Sequence, residues 1–158
     1  TNKIGGIVVV GGSLGLIEGG SVIGAIIGAI IIGRIGPLQN RGLFIMKISA
    51  AQGVLLILLS LSRDVLSVGV LFALFNLLHV VESTVYSSYL QETVPYEFRG
   101  RVFSIMTVIA CGLNPISIGI ASVLADTIGL MPVIVASGIG WLIVATVGLS
   151  IKEIRKLN

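Results

Sequence analysis

The chain has 158 residues, 55% of them hydrophobic and 11% charged, with a mean hydropathy of +1.10 and a formal net charge of +3. Soluble globular domains carry about 25% charged residues, so this composition excludes a solvated fold and assigns most of the chain to lipid.

Residues 1–13 read as an extracellular loop or the end of a truncated preceding helix. Within and just beyond them, Ile7-Val8-Val9-Val10-Gly11-Gly12-Ser13-Leu14-Gly15 imitates a strand entering a dinucleotide-binding glycine loop. No acidic residue follows about 20 positions on and no Gly-Lys-Ser/Thr element is present, so nucleotide binding is not expected. The first apolar span covers residues 14–36. In it Gly20, Gly24 and Gly28 recur every four residues and form a small-residue face for helix packing. Glu18, in its first turns, reads as a solvated carboxylate favoured by the helix dipole. Gly36-Pro37 with Gln39-Asn40 breaks this span. The second covers 42–62, where Gln52 reads as an interhelical hydrogen-bond donor. Ser62-Arg63-Asp64 separates it from the third, 65–91, which Pro95 and Gly100 end. The fourth, 100–126, contains Asn114-Pro115, a predicted kink suited to a gating helix. Gly129 closes it, and the fifth covers 130–151 before a tail of 152–158. At about 1.5 Å per residue, 21 residues reach roughly 31 Å, enough to cross a hydrocarbon core. Backbone groups in lipid must bond within their own segment, and the alternation of barrel strands is missing. The predicted fold is therefore an all-α integral membrane bundle of about five transmembrane helices, 14–151, with no separate soluble domain.

Charge placement predicts sidedness. Arg34, Arg41, Lys47, Arg99, Arg101, Lys152, Arg155 and Lys156 fall on one side of such a bundle, and Lys3 and Arg63 on the other. The positive-inside rule then puts the 37–41 and 92–99 loops and the C-terminus in the cytoplasm of a multi-pass cell-membrane protein. The net positive charge is on this reading a topology signal, and no nucleic-acid partner is expected. An odd number of spans, a first residue that is Thr and no signal pattern lead us to expect that the natural chain begins further upstream. Cys111, alone and within an apolar span, forms no intrachain disulfide.

The chemistry-bearing residues concentrate in the third span. Asn76, His79, Glu82, Ser83, Tyr86 and Ser87 recur at spacings of three and four, which collects them on one helical stripe. A charge at that depth costs on the order of 2.5 to 3.5 kcal/mol, so Glu82 should face protein or water. A carboxyl and an imidazole so placed can bind a cationic solute or exchange a proton; the bland alternative is satisfaction by hydrogen bonds within the bundle. The predicted substrate and proton pathway is Asn76, His79, Glu82, Tyr86 and Asn114. No His/Cys cluster suits a metal, no Ser/His/Asp set suits nucleophilic catalysis, and no cofactor or enzymatic activity is expected.

Val94-Pro95 followed by Arg99-Gly100-Arg101-Val102-Phe103-Ser104, together with Gly33-Arg34-Ile35-Gly36 and Arg41-Gly42, resembles the major facilitator superfamily, in particular the drug-efflux branch that contains the macrolide efflux proteins. The resemblance covers about residues 14 to 151. It implies that the five spans correspond to helices 8–12 of a twelve-helix fold whose N-terminal half is missing here. It also implies a gating role, stabilising the outward-open state, for the charged cluster Glu92, Glu97, Arg99 and Arg101, whose opposite charges can pair with one another or with another loop. The alternative is topological, with the two arginines holding the loop inside. The family's repeated motif carries an Asp beside its basic residues; none stands in Gly33 to Arg41, so only Arg34 and Arg41 carry over as gating or topology positions. The implied function is export of small amphipathic compounds or drugs by alternating access, coupled to protons, with the lipid bilayer and the N-terminal half as partners. The rival expectation is a non-transporting scaffold or assembly subunit whose polar stripe binds a partner helix.

Overall fold

The computed structural model describes residues 2–4, 7–9, 11–35 and 40–151. Two three-residue strands, β1 (Asn2–Ile4) and β2 (Ile7–Val9), precede five helices: α1 (Gly11–Arg34), α2 (Arg41–Leu61), α3 (Val65–Thr93), α4 (Tyr96–Ile128) and α5 (Leu130–Ser150). All five helices are long and apolar enough to cross a membrane.

The ends of the helices follow from local chemistry. Asp64 caps α3, its carboxylate accepting from the Ser67 backbone N–H at 2.8 Å and from the Ser67 hydroxyl, which satisfies a donor otherwise orphaned at a helix start. Gly129, at φ 92, is the single residue between α4 and α5, a conformation that costs a residue without Cβ little. Asn40 takes the left-handed conformation just before α2.

Two boundaries differ from the sequence reading. Residues 2–4 and 7–9 pair as an antiparallel ladder, Asn2 opposite Val9 and Ile4 opposite Ile7, where a loop or helix end was expected; β-branched residues on both sides of the Gly5-Gly6 dipeptide favour this pairing. The predicted 92–99 loop shrinks to Val94 and Pro95, and Gly100 lies inside α4 instead of ending α3. Pro95 disfavours helix at Val94, which is extended, but does not hinder the helix that starts after it. Glu97 in the first turn suits the positive end of the α4 dipole, so this polar segment is helical. α4 also stays helical through Pro115. Gly36 to Gln39 and the tail 152–158 lie outside the described residues.

The helices pack mainly as a row in the order α1, α3, α2, α5, α4. Glycines set the closest approaches. A Cβ on Gly20, Gly24 or Gly28 would meet the backbone of Gly69, Ala73 or Leu77 respectively. The register advances in the same sense on both helices, so α1 and α3 run parallel. Between α2 and α5, Gly53 abuts the Gly138 carbonyl and Gly148 abuts Met46, a register that runs antiparallel. Where lipid supplies no hydrophobic drive, such small residues permit the backbone contact that holds helices together. Large apolar side chains such as Leu66, Val108 and Ile118 point outward, and no side chain of α4 is buried.

Candidate functional site

Ser49 of α2 and Glu82 of α3 meet across the middle of this row. The Ser49 hydroxyl donates to Glu82 Oε1 at 2.5 Å, and Ser49 itself is buried. Both line a cavity of about 450 Å³ between α2, α3 and α5, whose walls include His79, Tyr86 and Tyr89 of α3 and Trp141 of α5. His79 is at the midpoint of α3 and stacks on Phe75 with ring centroids 6.4 Å apart. Glu82 lies roughly 16 Å along the axis from the C-terminal end of α3, a membrane depth at which a carboxylate needs a polar partner.

One end of the cavity is marked by Arg41, whose Nη1 pairs with Glu92 Oε2 at 2.7 Å. The pair joins the start of α2 to the end of α3. Because only Val94 and Pro95 separate α3 from α4, Arg99 is at this same end of the bundle. Arg99 Nε donates to the Val94 carbonyl at 3.0 Å, and its guanidinium lies 5.7 Å from the Tyr96 ring centroid. Arg34, Glu97 and Arg101 are exposed. Among the described residues, the ion pair that forms is therefore Arg41–Glu92 and not one within the Glu97 to Arg101 segment.

Of the predicted pathway residues, the fold brings His79, Glu82 and Tyr86 together. Asn76 turns onto its own helix, donating to the Phe72 carbonyl at 2.9 Å. Asn114 is exposed on α4, away from this cavity. Sequence reasoning missed Ser49, Tyr89 and Trp141. A buried Ser has no hydropathic signature, whereas the single Trp of the chain was a signal that a search for aromatic anchors could have used. Gln52, expected to donate between helices, is fully buried, but neither Oε1 nor Nε2 has a hydrogen-bond partner among the described residues. No group of three or more metal-ligating side chains occurs among the described residues.

Five membrane-length helices, three of which (α2, α3 and α5) line a cavity that holds a carboxylate, define a multi-pass α-helical membrane protein. The chain is similar to the multidrug efflux pump Tap of Mycolicibacterium fortuitum, with 24% identity over 136 residues, which is 86% of this chain and 33% of that protein. It thus spans about a third of the length of the curated relative it matches. No family model and no solved structure matches it. The likeness is to a transporter and not to an enzyme.

Proposed function

We propose that this chain forms five helices of a secondary active transporter that exports small amphipathic compounds, drugs among them, from the cytoplasm by alternating access with proton antiport. The observation that carries this reading is the Ser49–Glu82 hydrogen bond in the wall of an aromatic cavity at membrane depth. A carboxylate there has access to both a solute and a proton, the two things an antiporter must exchange. Tyr86, Tyr89 and Trp141 offer apolar faces with polar tips, suited to an amphipathic guest. The similarity to a multidrug efflux pump supports the same reading.

Within the major facilitator resemblance, α1 to α5 correspond to helices 8–12 of a plasma-membrane protein whose C-terminus is cytoplasmic. The end bearing Arg34, Arg41, Arg99 and Arg101 then faces the cytoplasm. The N-terminal half packs where α4 now lacks buried side chains. The convergence of His79, Glu82 and Tyr86 on a cavity shared with Trp141 favours a solute path over a scaffold stripe awaiting a partner helix.

Efflux of an amphipathic dye from vesicles carrying the intact transporter, driven by an imposed proton gradient, tests the reading. Glu82→Gln is expected to abolish the proton-driven component, and full retention of it overturns the coupling role. The 158 residues alone are expected to give no efflux, and measurable efflux from them contradicts a two-half mechanism.

A further inference from the structure

Gln52 is the largest fully buried side chain of the described residues, and both of its amide atoms are without a hydrogen-bond partner among them. Such burial is unfavourable, because the donor and the acceptor have left water for nothing in exchange. Packing on α5 does not require an amide there, since Gly53 on Gly138 and Met46 on Gly148 make that approach. Gln52 lies three residues beyond Ser49, so the two side chains leave the same face of α2, about 4.5 Å apart along the axis.

The Ser49 hydroxyl donates to Glu82, an arrangement suited to the ionised carboxylate, which only accepts. The neutral carboxyl has different needs. It carries one O–H donor and one carbonyl acceptor, the complement of a primary amide's carbonyl and NH₂. The two partners are one turn apart on α2, and the Glu82 side chain has three torsions through which its carboxyl can move between rotamers.

We propose that Gln52 is a positioning residue that holds the protonated form of Glu82, while Ser49 holds the ionised form. In the protonated state the Glu82 O–H donates to Gln52 Oε1, and Gln52 Nε2 donates to the Glu82 carbonyl. Proton uptake thereby moves the carboxyl one turn along α2, away from the Arg41 end of the cavity. This inference rests on the reading that Glu82 exchanges a proton. The other titratable or charged groups that share the cavity are His79, Tyr86 and Tyr89 on α3 and Arg41 on α2, the last paired with Glu92. α5 contributes Trp141 and Val144, neither of which titrates, and α1, on the other flank of α3, contributes no residue to the lining.

Trp141 is the single tryptophan of the chain and lies on the wall of this cavity, so its fluorescence reports on the site. The experiment follows that emission against pH for the intact transporter in lipid nanodiscs, with any tryptophan outside these 158 residues replaced by Phe, in a His79→Gln background that silences the imidazole. One transition is expected, and Glu82→Gln should remove it. Gln52→Met, close in length and without a donor, should weaken proton binding about tenfold and lower the midpoint by about one pH unit. Ser49→Ala should move the midpoint the opposite way. The infrared stretch of the protonated carboxyl should rise in frequency in Gln52→Met, as expected for a lost hydrogen bond. A midpoint that Gln52→Met leaves unchanged, or shifts in the same sense as Ser49→Ala, overturns the proposal, as does a transition that survives Glu82→Gln. Opposed shifts in a protein whose efflux ignores the proton gradient would sink the antiport reading and leave the role of Gln52 standing.

Discussion

Ser49 and Glu82, 33 positions apart in the chain, are joined by a 2.5 Å hydrogen bond that crosses from α2 to α3 inside the membrane-length bundle. Hydrogen bonds between membrane helices average about 0.6 kcal/mol and reach about 1.7 kcal/mol. Ser49→Ala is therefore expected to lower stability by about 1 kcal/mol, read from unfolding in mixed micelles. A loss beyond 3 kcal/mol would mean that Ser49 also props the α2–α3 packing.

Gly24 tests the α1–α3 contact. Its missing Cβ would land on the Ala73 backbone carbonyl, which cannot move aside as a flexible side chain does. Gly24→Ala is expected to cost about 1 to 3 kcal/mol, the range for overpacking, and to separate α1 from α3. Gly19→Ala, where nothing lies within 4 Å, should be neutral or slightly stabilising. Disulfide trapping between cysteines placed on α1 and α3 checks both.

The two members of the Arg41–Glu92 pair should respond unequally. Glu92 is 62% exposed and Arg41 13%. An exposed carboxylate gains little from its partner, so Glu92→Gln is expected to change stability by less than about 0.5 kcal/mol. Arg41→Gln, which also removes aliphatic packing from the cavity wall, should cost more. Equal effects in thermal unfolding would show that the ion pair itself dominates.

Asp64 confers a pH dependence on the start of α3. The Ser67 backbone N–H, and then the Ser67 hydroxyl, hold its carboxyl below the ordinary aspartate value. A depressed folded-state value means the cap stabilises the helix above the unfolded pKa and is lost as pH falls through the lower, folded one. Exchange of the Ser67 amide, corrected for intrinsic rate, should accelerate below about pH 4. In Asp64→Asn, which still caps but does not titrate, that acceleration should vanish.

The bundle also predicts sidedness. With Cys111 replaced by Ser, single cysteines at Arg41 and Arg99 should react with an impermeant reagent from one face of the membrane, and a cysteine at Arg63 from the other. Labelling of the first two from opposite faces is incompatible with the Arg41–Glu92 contact and the two-residue link from α3 to α4.

Much of the third helix could be read in advance. His79, Glu82 and Tyr86 share a stripe because three- and four-residue spacing is a property of any helix, and the fold puts that stripe on a cavity. Asn76 belonged to the same stripe, yet it bonds to Phe72, since a short amide can satisfy itself on its own backbone. The polar run after Thr93 looked like a loop because charge correlates with exposure, but exposure does not forbid a helix, and α4 begins at Tyr96.

Membrane residence and five crossings were determined by the sequence alone, because hydropathy and span length are sums over neighbouring residues and lipid leaves the backbone only the helix. Which helices touch was not. α1 to α5 are largely apolar around their circumference, so no stripe declares a partner, and pairing rests on where Gly24 meets Ala73 or Gly53 meets Gly138. Only the tertiary structure could bring Ser49 to Glu82 and leave Gln52 buried without a hydrogen-bond partner among the described residues, because both depend on contacts between residues far apart in the chain.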